Sequence, residues 1–178
     1  PLDEAPEFQP LLPELDLTEL KLVDLSPTSP LFADGNWKDP EVDWRLLARI
    51  AWETRMGATR FGEYRLSRSA SDANAHNVAL HVDFCLPAGA TVAAPFGGTV
   101  KQTSGPLILS GKDATLYLEG VETVLAEGTM LFAGDRIGSV GGPEGSVGGL
   151  RIRLSRSPEV EPPLFTSQSE LGRWKRLV

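Results

Sequence analysis

The sequence predicts a mainly β protein, an antiparallel β-sandwich or barrel-like sheet preceded by one helix and an extended acidic arm. Three observations predict it. From Arg60 onward, short apolar or alternating runs recur at roughly ten-residue intervals, separated by Gly, Pro, Asn and Asp. Ahead of them a single stretch, "KDPEVDWRLLARIAWETRMG", carries a helical period. Ahead of that, prolines at 1, 6, 10, 13, 27 and 30 interrupt any helix and leave an extended connector.

Residues 1–38 are read as an acidic, Pro-rich arm or interdomain linker. Seven acidic residues, Asp3, Glu4, Glu7, Glu14, Asp16, Glu19 and Asp24, stand against Lys21 alone, so residues 1–24 carry −6 of the net charge of −7. The arm is expected to be solvated, although its leucines could dock on the domain. Residues 39–57 are read as a helix packing on the core. Asp39 suits a cap, Pro40 the first helical position and Gly57 the stop, which places the helix over 40–55. Val42, Leu46 and Ile50, with Leu47 and Ala51 alongside, form its buried stripe.

Residues 58–158 are read as the β domain. Its expected strands lie in "RFGEYRLSRS", "VALHVDFCL", "ATVAAP", "GTVKQ", "LILSG", "ATLYLEG", "TMLFAG", "RIGSVG" and "GLRIRLS". Residues 159–178 form a tail in which "SELGRWKRLV" is expected to make a last helical turn.

Hydrophobic residues at 41% suffice for a folded core in a chain of 178 residues, and they favour neither an enzyme nor a binding module. The apolar runs fall far short of the roughly 20 residues of a spanning helix, so no membrane span is expected. The acidic arm repels phosphates and no basic patch is interleaved with aromatics, so nucleic-acid binding is disfavoured. One cysteine, Cys85, rules out an internal disulfide framework and a Cys-rich zinc site and fits a reducing compartment. The Pro1 start and the lack of a signal-peptide pattern point to an excised domain or a processed product.

The segment from Asp83 to Val100 resembles the first motif of the lysostaphin-type (LytM-like, Gly-Gly) zinc metalloendopeptidases, in which a His, three residues and an Asp lead into "PAGTPVYAPADGTV". The corresponding residues are Asp83, Pro87, Ala88, Gly89, Val92, Ala94, Pro95, Gly98, Thr99 and Val100. "TLYLEG" resembles the family's Leu-Tyr-x-His-Leu strand, "LAEGTMLFAGDRIGSVG" its glycine-punctuated hairpin, and "GGLRIRLS" its Gly-Pro-His-Leu-His-Phe strand. The resemblance covers about residues 60 to 156 and implies a LytM-type β fold.

Carried over residue by residue, the resemblance keeps the scaffold and loses the metal. The first zinc ligand falls on Ala79, the second stays at Asp83 and the third falls on Arg153; the two catalytic histidines fall on Glu119 and Arg151. Ala79, His81, Asp83, Glu119, Arg151 and Arg153 therefore constitute a relict site. A catalytic zinc needs three imidazole, thiolate or carboxylate donors and a water. A guanidinium stays protonated, offers no lone pair and repels a cation. Without the ion nothing lowers the pKa of a water, so no zinc, no other cofactor and no catalytic residue is expected. Spacing by two predicts that Ala79, His81 and Asp83 share one strand face, as do Arg151 and Arg153, and that Asp83 pairs with Arg153 where the ion would have been.

Rival readings keep other residues in play. His81, Asp83 and Glu119 could make an improvised metal site and so an active zinc endopeptidase acting on peptidoglycan peptides. The bland reading of His81 is a hydrogen-bonded filler, of His76 a solvated loop residue and of Cys85 a small buried hydrophobe. "GTVKQ" and "AGDRIGSVG" also resemble lipoyl- or biotinyl-type carriers, but neither Lys101 nor Lys112 has the Met-Lys-Met setting those carriers use.

"VDLSPTSPLF" through "RFGEYRLSRS", with Gly62, Glu63, Tyr64 and Arg65 loosely matched, resembles the junction in bacterial fusions of a kinase-like domain, a lysostaphin-type domain and a class-III pyridoxal-phosphate aminotransferase. That resemblance implies the middle, cytoplasmic domain of such a chain; otherwise the family's place is the cell envelope. Expected partners are neighbouring domains of a parent polypeptide, or a peptide or glycan in the relict groove. The reading that follows is a non-catalytic pseudo-peptidase that binds, spaces or regulates.

Overall fold

A computed structural model describes residues 8–39, 41–69, 76–102, 105–157 and 160–178. Thirteen strands and two α-helices lie among them. The strands are β1 (Lys21–Leu22), β2 (Gly57–Ala58), β3 (Val78–Ala79), β4 (Val82–Pro87), β5 (Thr91–Ala93), β6 (Gly98–Gln102) and β7 (Leu107–Ser110), followed by β8 (Thr115–Glu119), β9 (Val121–Glu122), β10 (Met130–Leu131), β11 (Arg136–Val140), β12 (Val147–Ser155) and β13 (Phe165–Thr166). The helices are α1 (Val42–Thr54) and α2 (Leu171–Trp174). The fold is mainly β and, apart from the parallel pair β1 and β2, antiparallel.

An eight-stranded sheet runs in the order β1-β2-β4-β12-β8-β7-β6-β10, and a three-stranded sheet in the order β5-β11-β9 packs on it. The nine residues of β12 alternate. Leu150, Ile152 and Leu154 turn to the core between the sheets, with Leu86, Val92, Val100, Leu109, Leu118 and Ile137, while Arg151 and Arg153 turn to the opposite face. At one end that second face is covered by α1, whose Val42, Leu46, Leu47 and Ala51 pack with Val23, Leu25, Phe32 and Cys85.

The helix begins two residues later than expected, and Pro40 lies outside the described residues. Asp39 acts near its start, its carboxylate accepting the Glu41 N–H at 2.9 Å. Gly57 is not the stop. The left-handed residue that ends the helix is Arg55, φ 72°, and Gly57 lies in β2, where an added Cβ would sit 3.0 Å from Leu47 Cδ1. A side chain at 57 would press on Leu47 where helix and sheet approach closely.

Two further expectations change. "RFGEYRLSRS" forms no named strand among the described residues; Tyr64 makes one isolated bridge to Val78, and Leu66–Arg68 is a 3-10 turn. The arm, read as solvated, takes its docked alternative over the described part. Leu12, Val23 and Leu25 are buried, and Lys21 and Val23 donate to the Met56 and Ala58 carbonyls at 3.1 and 2.8 Å. No helix among the described residues is long and apolar enough to cross a membrane.

Candidate functional site: a polar face centred on Arg151

Strand β12 lies between β4 and β8, and its register puts Arg151 opposite Asp83 on one side and Glu119 on the other. A guanidinium flanked by two carboxylates is the simplest way to hold all three charges on a half-covered sheet face. The Arg151 Nε–H donates to Asp83 Oδ1 at 2.6 Å, and Nη1 lies 3.5 Å from Glu119 Oε2.

Asp83 is therefore paired with Arg151 and not with the expected Arg153. The reason is register. The pairing of β4 with β12 ends at Val82 and Ile152, so no residue of β4 stands opposite Arg153. Arg153 instead faces Tyr117 on β8, its guanidinium 5.1 Å from the ring centroid. Its Nη1–H groups donate to Glu161 Oε1 at 2.8 Å and to the Pro162 carbonyl at 2.6 Å, and Nη2 lies 3.5 Å from Glu119 Oε1. Both arginines do share one face.

The run that contains Asp83 is bent. Leu80 and His81 separate β3 from β4, and Ala79 pairs with Phe165 in a two-stranded sheet of its own. Ala79 therefore leaves the face it was expected to share with Asp83, while His81 still reaches it. His81 Nε2 lies 3.1 Å from Asp83 Oδ2, Nδ1 lies 2.9 Å from the Leu164 carbonyl, and the ring packs edge-on against Phe165. Thr59 completes the surroundings of Asp83, accepting its backbone N–H at 2.9 Å and donating its own N–H to the Asp83 carbonyl. Burial pushes the Asp83 carboxyl up, but His81 and Arg151 outweigh it and hold the pKa down at about 2.

Among the described residues no group of three or more His, Cys, Asp and Glu could hold a metal ion. Both nitrogens of His81 are taken, Asp83 carries a guanidinium at 2.6 Å, and Glu119 lies between two arginines.

The tail segment from Glu161 to Phe165 lies across the Arg153 half of this face, and Arg153, Tyr117 and His81 are buried beneath it. The Arg151 half stays open: Arg151 and Glu119 keep about a third of their side-chain surface, 33% and 37%. Glu119 also lines a cavity of about 660 Å³ with Leu107, Leu118, Gly120, Val121 and Thr123.

Three of these neighbours were not singled out from the sequence. Tyr117 had a signal, its spacing of two from Glu119 placing both on one face. Thr59 and Glu161 had none, since each arrives from a distant segment. Cys85 is fully buried against α1, and burial pushes its thiol up to about 11. His76 is exposed, 4.0 Å from Glu170. Arg65 and Glu63 form a buried ion pair at 3.3 Å. Lys112 stands exposed in the turn between β7 and β8, flanked by Gly111 and Asp113.

No family model and no curated protein matches the chain. Among solved structures, the chain is similar to lysostaphin over 56% of its own length and 44% of that chain, at 16% identity and a TM-score of 0.41. It is similar to Csd3 of Helicobacter pylori over 55% of its length and 33% of that chain, at 16% identity and a TM-score of 0.38. Pseudoalterin, an M23 metalloprotease from the deep sea, aligns over 56% of this chain and 65% of its own, at 12% identity and a TM-score of 0.37. The chain thus spans less than two thirds of each of these three proteins.

Proposed function

We propose that the chain is a non-catalytic, lysostaphin-like module in which an ion-pair network stands where the family would hold zinc, and that it works as a binding, spacer or regulatory domain. The observation that carries this reading is the guanidinium of Arg151 set directly across the strand from Asp83, with its Nε 2.6 Å from the one carboxylate the motif retains. A cation at Asp83 would have to displace that donor and sit beside its guanidinium charge, and the single imidazole within reach, His81, already has Nε2 on the same carboxylate. Ala79, His81, Asp83, Glu119, Arg151 and Arg153 are on this reading a relict constellation with no metal-binding or catalytic part.

The loosely matched lead-in supports membership of a larger cytoplasmic polypeptide, with neighbouring domains as partners; a stand-alone chain would belong at the cell envelope. The test is metal analysis of the full chain purified in zinc-containing buffer, with hydrolysis of pentaglycine and of peptidoglycan peptides assayed alongside. Sub-stoichiometric zinc and no cleavage are expected. One equivalent of bound zinc together with cleavage that a chelator abolishes would overturn the reading.

A further inference from the structure

We infer that the open end of the space between the two sheets is a ligand site for a monocarboxylate with an apolar body, with Lys112 and Arg156 at its mouth. It lies on the core side of β12, away from the relict face, and goes beyond the reading of that face given above.

The site begins where the core row of β12 changes character. Leu150, Ile152 and Leu154 face the core at a spacing of two, and the next position in that row, just past the strand, is Arg156. Leu154 and Arg156 both line a cavity of about 530 Å³, a size within the range of small-molecule sites. The other apolar walls are Phe8, Phe96 and Ala114. Phe96 and Leu154 are half-buried where the core ends. The Phe96 ring closes against the turn between β7 and β8 because Gly111 has no side chain; a Cβ there would sit 2.8 Å from Phe96 Cδ2. Phe8 meets Phe96 edge-on, ring centroids 5.9 Å apart, and is held in place by the Gln9 N–H on the Pro95 carbonyl at 2.9 Å. Phe8 nevertheless keeps 53% of its surface. An apolar body in the cavity covers that ring and takes the exposed part of Leu154 out of water, which drives binding.

Charge selects the head group. The Gly111 N–H donates to the Ala114 carbonyl at 2.9 Å, which puts Lys112 and Asp113 at the tip of a two-residue turn on the cavity's rim. With Arg156 they are the charged residues of the lining, and together they carry +1 in a chain of net charge −7. The Arg156 N–H is taken by the Leu177 carbonyl. Neither the Arg156 guanidinium nor the Lys112 ammonium, however, is paired with Asp113 or with any other carboxylate among the described residues. Both cations only donate, so what the mouth lacks is an acceptor. A carboxylate brings two acceptor oxygens and one negative charge, and neutralises the rim through charge-assisted hydrogen bonds. An ammonium head meets two like charges, and a phosphate dianion overshoots the balance and is repelled by Asp113.

The experiment titrates the full chain with octanoate, octan-1-ol, octylammonium and octyl phosphate, all below their micellar concentrations, and follows amide signals by NMR. Octanoate is expected to move the Gly97, Lys112, Ala114 and Arg156 amides and to bind more tightly than the other three. Both cations are exposed, so their replacement leaves the fold intact. Lys112→Gln and Arg156→Gln should each weaken octanoate several-fold, and the double variant about tenfold or more, with octan-1-ol unaffected. Phe8→Ala should weaken octanoate and octan-1-ol alike, with far-UV circular dichroism checking its fold. Lys101→Gln, exposed on the opposite face of the sheet, should change nothing. Octanoate binding no tighter than that of octan-1-ol, or unchanged in the Lys112→Gln/Arg156→Gln variant, overturns the inference. Tighter binding of octylammonium or octyl phosphate, or no shift around the cavity with any of the four probes, overturns it as well.

Discussion

Replacing Asp83 with Asn tests the ion-pair network at its centre. The carboxylate has a folded pKa of about 2 against 3.8 for an unperturbed aspartate, because the hydrogen bond and charge of His81 and Arg151 outweigh burial. A depressed carboxyl stabilises the fold in full above its unfolded pKa and loses that contribution as pH falls through the folded value. The difference corresponds to about 2 kcal/mol, with little of it left at pH 2. Asn keeps the shape and one acceptor oxygen for the Arg151 Nε–H, but it removes the charge that Arg151 and His81 face. Asp83→Asn should therefore be less stable than the parent by about 2–3 kcal/mol at pH 6, and the gap should narrow by about 1.5 kcal/mol by pH 2.5. Urea unfolding followed by tryptophan fluorescence at a series of pH values measures both. A gap that stays constant with pH, or one below about 0.5 kcal/mol at pH 6, would refute the network as the support of this face. The double variant Asp83→Asn/Arg151→Gln should regain part of the loss, since the two residues touch and their effects are not additive.

Two smaller perturbations follow from local geometry. Arg55 ends α1 at φ 72°, a region that disfavours side chains with a Cβ, so Arg55→Gly should stabilise the protein by about 0.5–1 kcal/mol in a thermal melt; an unchanged or lower midpoint would count against strain there. Cys85 is fully buried with its thiol pushed up to about 11, so a thiol reagent at pH 8 should leave the native chain unlabelled and react fully once urea unfolds it; rapid labelling of the native protein would contradict the packing of α1 on β4.

What the sequence made legible was periodicity, and what it concealed was register. Alternation in "GLRIRLS" correctly puts Arg151 and Arg153 on one face. It cannot say which of them stands opposite Asp83, because that depends on where β4 ends. "VALHVDFCL" reads as one strand, yet it breaks at Leu80, whose N–H donates to Leu164 at 2.9 Å in a tail more than eighty residues away. The arm misleads for a different reason. Its charges and prolines suggest solvation, although Val23 and Leu25 alternate with the exposed Leu22 and half-buried Asp24 in the period of a packed extended segment. Glu161 and Thr59 reach the site through long-range contacts for which no local pattern exists.

The arm and tail also give the domain a mechanical grain. The arm is stitched along its length, from Gln9 on Pro95 and Leu11 on Ala93 to Val23 on Ala58, so a cut at residue 58 would remove Val23 and Leu25 together with α1 and uncover Cys85. The tail is fastened to the sheet edge by the two-residue pairing of β13, the Leu164 carbonyl on the Leu80 N–H and the His81 ring, Leu171 packed with Val78 and Leu80, the Arg153 contacts and the bond from the Arg156 N–H to the Leu177 carbonyl. Tension applied from the C-terminal side would therefore peel the cover from Arg153 and Tyr117 before it loosened the eight-stranded sheet.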